Sequence, residues 1–272
     1  MNKFVQALKL YARLEIETIK YCLIREMEYR FNFVVTLVTV FAYQLTIFLT
    51  YTLLFSYTES IGNWTASDVS FLFATNAIIE NVLFMPFAFY GLLSLPQLIN
   101  TGNLDLILIK PVNPVFYIST KQFDLGTLVG GAISAVMYII AAWPSLQGAV
   151  TAGNILVYIY MIINGTLIMH SLYLSIQCLA FRFIRIDAFS SMFWSIHGLA
   201  KRAPGSVYPL VLQMILTFFI PVLIVVYFPA GFVLNKLGIR EVAASTVVTI
   251  LFFILSRYIW RVSVKKYGSA SS

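Results

Sequence analysis

The chain has 272 residues, of which 60% are hydrophobic, 16% aromatic and only 11% charged, whereas soluble domains carry about 25% charged residues. This excludes an ordinary soluble globule and predicts an all-α integral membrane protein, long enough for about six spans at about 20 helical residues per ~30 Å of hydrocarbon. The net charge of +7 does not indicate nucleic acid, because the bases lie in the gaps between apolar runs, as the positive-inside rule describes.

Residues 1–30 are charged but periodic. Val5, Leu8, Ala12, Ile16, Ile19, Leu23 and Met27 recur at steps of three and four, which predicts one apolar stripe on a helix. Lys3, Lys9, Arg13, Lys20, Arg25 and Arg30, against Glu15, Glu17, Glu26 and Glu28, suit an amphipathic interfacial helix on the inner leaflet. Packing on the chain's own cytosolic partner fits as well, and both can hold at once. No short apolar core precedes a small-residue cleavage site, so targeting is expected from the first span.

The membrane region, 31–272, then reads as six spans. Span one covers about 31–55 and is followed by a short outer loop with Glu59 and Asp68; Asn63-Trp64-Thr65 in it matches a weak glycosylation pattern. Span two, about 69–93, contains Glu80 beside Asn81. Next comes Gly102-Asn103-Leu104-Asp105-Leu106-Ile107-Leu108-Ile109-Lys110-Pro111-Val112-Asn113-Pro114, where prolines lacking donors and charges resisting desolvation exclude a bilayer segment. It predicts a cytosolic hinge, about 95–111, between spans two and three.

Span three, about 125–143, carries Gly126, Gly130, Gly131 and Ala135 at a spacing that lets another helix approach closely. Span four, about 154–181, ends at Arg182 and Arg185. The apolar run 188–200 is too short to span comfortably, and 186–206 is expected to lie along the inner face. Span five is placed at about 208–227, a re-entrant outer segment at 228–238 around Pro229 and Gly231, and span six at about 242–260. This arrangement puts 16 of the 18 Lys and Arg on the inner side, with only Lys236 and Arg240 outside, and both termini in the cytosol.

Chemistry-bearing motifs are scarce. No Gly-x-x-x-x-Gly-Lys-Ser/Thr loop occurs, so the chain is not expected to bind or hydrolyse ATP by itself. His170 and His197 stand singly, Cys22 and Cys178 have no metal or redox spacing, and no catalytic residue, metal or cofactor is assigned to this chain. Glu80 is the one acid deep in a span, where a charge costs at least ~2.5 kcal/mol. With Asn76 and Asn81 it is a candidate lining of a translocation path; the alternative is a structural pairing with Asn76, Asn81, Gln44 or Gln177.

Gly102-x-Leu104-Asp105-x-x-Leu108-x-Lys110-Pro111, followed by Pro114 and placed after a second span, resembles the motif of one branch of type-2 ATP-binding-cassette (ABC) permeases, the membrane subunits of exporters. Tyr208-Pro209, Pro221, Pro229-Ala230 and the tail Tyr267 to Ser272 are similar to that branch too. The resemblance implies a dimer of permease subunits, homomeric or heteromeric, on separate nucleotide-binding subunits that hold ATP and Mg. It makes residues 95–111 the coupling element, with Gly102, Leu104, Asp105, Lys110 and Pro111 at the ATPase contact. It implies a multi-pass protein of a plasma membrane, expected to be bacterial, in contact with lipid and not with nucleic acid. Two other readings stay open, a membrane scaffold or sensor and a secondary transporter energised through Glu80. The cargo is not legible.

Overall fold

A computed structural model describes residues 3–268. Met1, Asn2 and the tail residues 269–272, which belong to the motif and domain boundaries above, lie outside the described residues. Among the described residues every element is a helix, apart from one isolated bridge between Ile61 and Trp64. It is a multi-pass membrane bundle: five helices are long and apolar enough to cross a membrane.

Helix α1 (Lys3–Glu28) leads at a kink into α2 (Arg30–Phe55). Three elements then form one long passage: α3 (Ala66–Asn76), a π-helical stretch Ala77–Phe89 containing Pro86, and α4 (Tyr90–Leu93). Short helices α5 (Leu95–Asn100), α6 (Leu104–Leu108) and α7 (Pro114–Thr120) follow. Helices α8 (Leu125–Leu146) and α9 (Ala152–Gln177) form a hairpin. The last part comprises α10 (Asp187–Arg202), α11 (Leu210–Met214) with a π-helical extension to Phe219, α12 (Val222–Val233) and α13 (Ile239–Lys265). We call the end carrying α1 and the last turn of α13 the base, and the opposite end the crown.

The small residues of α8 act as their spacing predicts. A Cβ on Gly126 or Gly130 would fall 2.9 Å from Thr36 or the Leu37 carbonyl of α2, and one on Gly131 would fall 2.4 Å from Asn81. Helix α8 is thereby wedged between α2 and the second passage, and Tyr138 Oη donates to the Gln44 carbonyl at 2.7 Å.

Helix α1 docks at the base by a face next to its apolar stripe. Tyr11 Oη accepts from the Asn113 amide at 3.1 Å, buried Cys22 Sγ from the Phe123 amide at 3.4 Å, and Glu26 Oε1 from the Leu125 amide at 2.8 Å. Burial pushes the Glu26 carboxyl above the usual range, against the Leu125 bond that pulls it down. Ile16 and Met27 of the stripe itself stay exposed.

Two boundaries differ from the sequence reading. Residues 186–206 do not lie along the inner face. Helix α10 starts at the base, where Ser190 meets Gln177, and ends near the crown, where Arg202 O accepts from Tyr51 Oη and Ser206 Oγ donates to Gly62 O at 3.0 Å. Its 16 residues rise about 24 Å, and residues 203–207 complete the passage.

Residues 208–227 are correspondingly not a straight span. Leu210–Phe219 and Val222–Val233 meet at 107°, because Pro221 cannot continue the helix and pushes Ile220 out of the helical region, to φ −130, ψ 79. Tyr227 packs on Trp64 and beneath Gly205, and Lys236 Nζ reaches Asp68 at 3.1 Å and the Asn63 carbonyl at 2.6 Å. The bent pair Leu210–Val233 thus starts beside Gly205 and closes beside Lys236, both at the crown, and the expected re-entrant segment 228–238 overlaps its second limb. Among the described residues five helices are long and apolar enough to cross a membrane, or six if the bent pair counts as one, while α10 runs from base to crown and carries Lys201 and Arg202 toward the end where Lys236 and Arg240 lie.

A cysteine placed at Ser206 is therefore expected to react with a membrane-impermeant maleimide from the same side as one at Asn235. Labelling from the side of Lys266 instead would restore the inner-face placement.

Candidate functional site

Three features carry chemistry: the hinge at the base, a buried ion cluster in the middle, and one open face of α10.

The hinge grows directly from the second passage. The chain turns at Ser94 into α5, and Gly102 at φ +72 reverses it into the single turn α6, a backbone region that glycine enters without strain. Leu104 and Ile107 point inward and are buried, which clamps α6 to the bundle. Leu106 and Ile109 on the other side are 61% and 79% exposed, and Lys110 and Pro111 beside them are exposed too. Lys110 is not loose: its Nζ lies 4.0 Å from the Tyr117 ring centre and donates to Tyr117 Oη at 2.7 Å. Asp105 is half-buried in the first turn of α6. The five hinge residues read from the sequence thus sit on one protrusion, with Leu104 as its anchor rather than its surface. Leu106 and Ile109 were missed, although two large apolar residues in a segment too polar for the bilayer were the available signal.

The mid-bundle site joins residues far apart in sequence. Glu80, in the π-helical stretch, accepts from Lys201 Nζ at 3.1 Å through both carboxylate oxygens and from His197 Nε2 at 3.1 Å. The side chains of Glu80, His197 and Lys201 are 7%, 0% and 11% exposed. Since Glu80 accepts there, Nε2 carries a proton, and Nδ1 is buried without a partner. One carboxylate and one ammonium cancel, which makes a buried charge tolerable. His197 and Lys201 are one helical turn apart on α10, so both reach Glu80 from the same face. They were missed because α10 was placed outside the bundle. Asn81 packs against Gly131, and Asn76 and Asn81 are both buried, with Asn76 Oδ1 and Asn81 Nδ2 unpaired. Among the described residues no group of His, Cys, Asp or Glu is placed to hold a metal ion.

Helix α10 is two-faced. Ile186, Phe193 and His197 are buried, while Asp187, Ser191, Ser195 and Arg202 form an exposed polar strip along a helix that runs from the base to the crown of the bundle. Lipid hydrocarbon cannot satisfy such a strip, so a water-filled or protein-lined space suits it better. At the base, α10 also borders a cavity of about 400 Å³ shared with α5 and α9.

No curated protein and no solved structure matches the chain. The family profile of the ABC-2 family transporter proteins matches residues 41–271, from the middle of α2 to the tail. That match includes the hinge, the ion cluster, α10 and the re-entrant hairpin, and the family is a membrane component of ABC transporters. A multi-pass helical bundle, with a protruding hinge after its second passage and this profile over most of its length, belongs to the ABC-2 transporter family as a permease-type membrane subunit.

Proposed function

We propose that the chain forms half of the translocation path of an ATP-driven exporter, powered by separate nucleotide-binding subunits seated against the hinge. The observation that carries this reading is the α5–α6 protrusion: a buried apolar side fastens it to the bundle, and an exposed apolar pair with a neighbouring base faces away. A shape held that way transmits displacement instead of absorbing it, because packed elements move as units. ATP and Mg belong to the partner, where a phosphate loop absent from this chain would hold them.

In this reading the base is cytosolic, which puts both termini there, in a plasma membrane. Helix α1 lies along the inner leaflet with its exposed Ile16 and Met27 toward lipid. A second permease copy, identical or related, faces the polar strip of α10 across the path. Movement of the hinge reaches that strip through the second passage, because Glu80 ties the π-helical stretch to α10. Glu80 then positions α10 and does not itself touch cargo.

The test is a cysteine at Leu106 and cross-linking in native membranes. Capture of a P-loop ATPase, with none captured from a cysteine at Leu251 on the exposed side of α13, is expected. Capture of a protein without an ATPase fold at Leu106 would support the scaffold reading instead.

A further inference from the structure

The cavity at the base has the makings of a ligand site that the hinge and the ion cluster leave unused. It lies between α5, α9 and α10 and measures about 400 Å³, within the usual size of small-molecule pockets. Phe89 and Trp194 meet edge-on at 5.4 Å in its wall, and Leu93 and Pro96 add an apolar side.

Its floor is polar and under-satisfied. Gln177 is fully buried, its amide nitrogen donates only a long 3.4 Å bond to Ser190 Oγ, and its Oε1 has no partner. The fully buried Tyr173 hydroxyl lies beside Gln177 and Ser190 but makes no well-formed hydrogen bond to either. Two buried groups left short of partners beside an open cavity are costly unless something entering the cavity bonds to them.

The mouth carries Arg185 and Asp187, both exposed and of opposite sign, so no net charge draws an ion inward. We propose that this cavity binds the uncharged, hydroxyl-bearing head of an amphiphile at the base of the permease, with the head on Gln177 and Tyr173 and its carbon skeleton against Phe89 and Trp194. The site would load cargo before transport, and in that respect it rests on the exporter reading. The binding itself does not.

The test uses the full chain in phosphatidylcholine nanodiscs, without any ATPase. Tryptophan emission is titrated with octyl glucoside below its micellar concentration, and the Trp194→Phe titration is subtracted to isolate the reporter in the wall. Octyl sulfate and octyltrimethylammonium serve as charged analogues with the same tail. A saturable Trp194 signal is expected for the glucoside at concentrations at least tenfold below either charged analogue. Gln177→Leu is expected to weaken it at least tenfold while leaving the thermal midpoint unchanged or raised. Ser191→Leu, exposed at the mouth, is expected to block it without touching the buried groups.

A linear signal equal for all three heads, or one indifferent to both substitutions, would overturn the proposal. So would saturable preference for a charged head. Because no ATPase takes part, failure here leaves the exporter reading standing, and loss of the exporter reading leaves the binding result standing.

Discussion

Replacing Lys201 by methionine, or Glu80 by leucine, is expected to cost about 3–5 kcal/mol, because each change strands the other charge in the bundle. For a chain of this size that corresponds to a fall in thermal midpoint of roughly 6–20 °C in mild detergent. The double change Glu80→Leu with Lys201→Met is expected to recover most of the loss, since a buried pair exchanged for apolar groups of similar volume is often neutral. His197 loses its acceptor in the double variant, and recovery should improve when His197→Leu is added. Equal melting of singles and double would show that the two charges do not interact, and α10 would lose its tie to the second passage.

The second large effect concerns the hinge. Leu106→Asp combined with Ile109→Asp is expected to weaken association with the ATPase by at least about 100-fold, taking about 1.5–3 kcal/mol for each buried apolar anchor lost. The purified variant should stay monodisperse, because both side chains already face solvent. Leu104→Asp should behave differently: this residue has no exposed surface, so its replacement should unseat α6 and lower stability first. Reversing Asp105 and Lys110 together is expected to have a smaller effect, since rim charges contribute little and Lys110 is already held by Tyr117. An association constant unchanged in the Leu106/Ile109 variant would mean that the protrusion is not the docking surface.

The parts of this architecture that were legible in the sequence are those encoded locally. Long apolar helices report themselves by length, and the glycines of α8 report close approach by their spacing. The hinge stands out because Pro111, Pro114, Asp105 and Lys110 cannot live in hydrocarbon. What was missed depends on partners distant in the chain. Residues 188–200 look too short to cross and end in two bases, which argues for a surface helix until Lys201 is seen to meet Glu80. The signal was present as a complementary pair: an acid deep in one span, and a histidine and lysine four residues apart on a later helix. The same distance effect explains Pro221. One proline can kink a span or fold it back, and the choice here goes with Tyr227, Trp64 and Lys236 packing at the crown. Taking α10 rather than 208–227 as the helix that runs from base to crown moves Lys201 and Arg202 away from the inner side on which the charge pattern had placed them.

The most direct measurement is to purify the chain from its native membrane in mild detergent and assay the preparation for a bound P-loop ATPase and for ATP hydrolysis. The account predicts a stoichiometric ATPase partner whose hydrolysis falls when Leu106 and Ile109 are both changed to aspartate. A homogeneous, folded preparation with neither partner nor hydrolysis would contradict it and leave the helical bundle as the anchor of some other assembly.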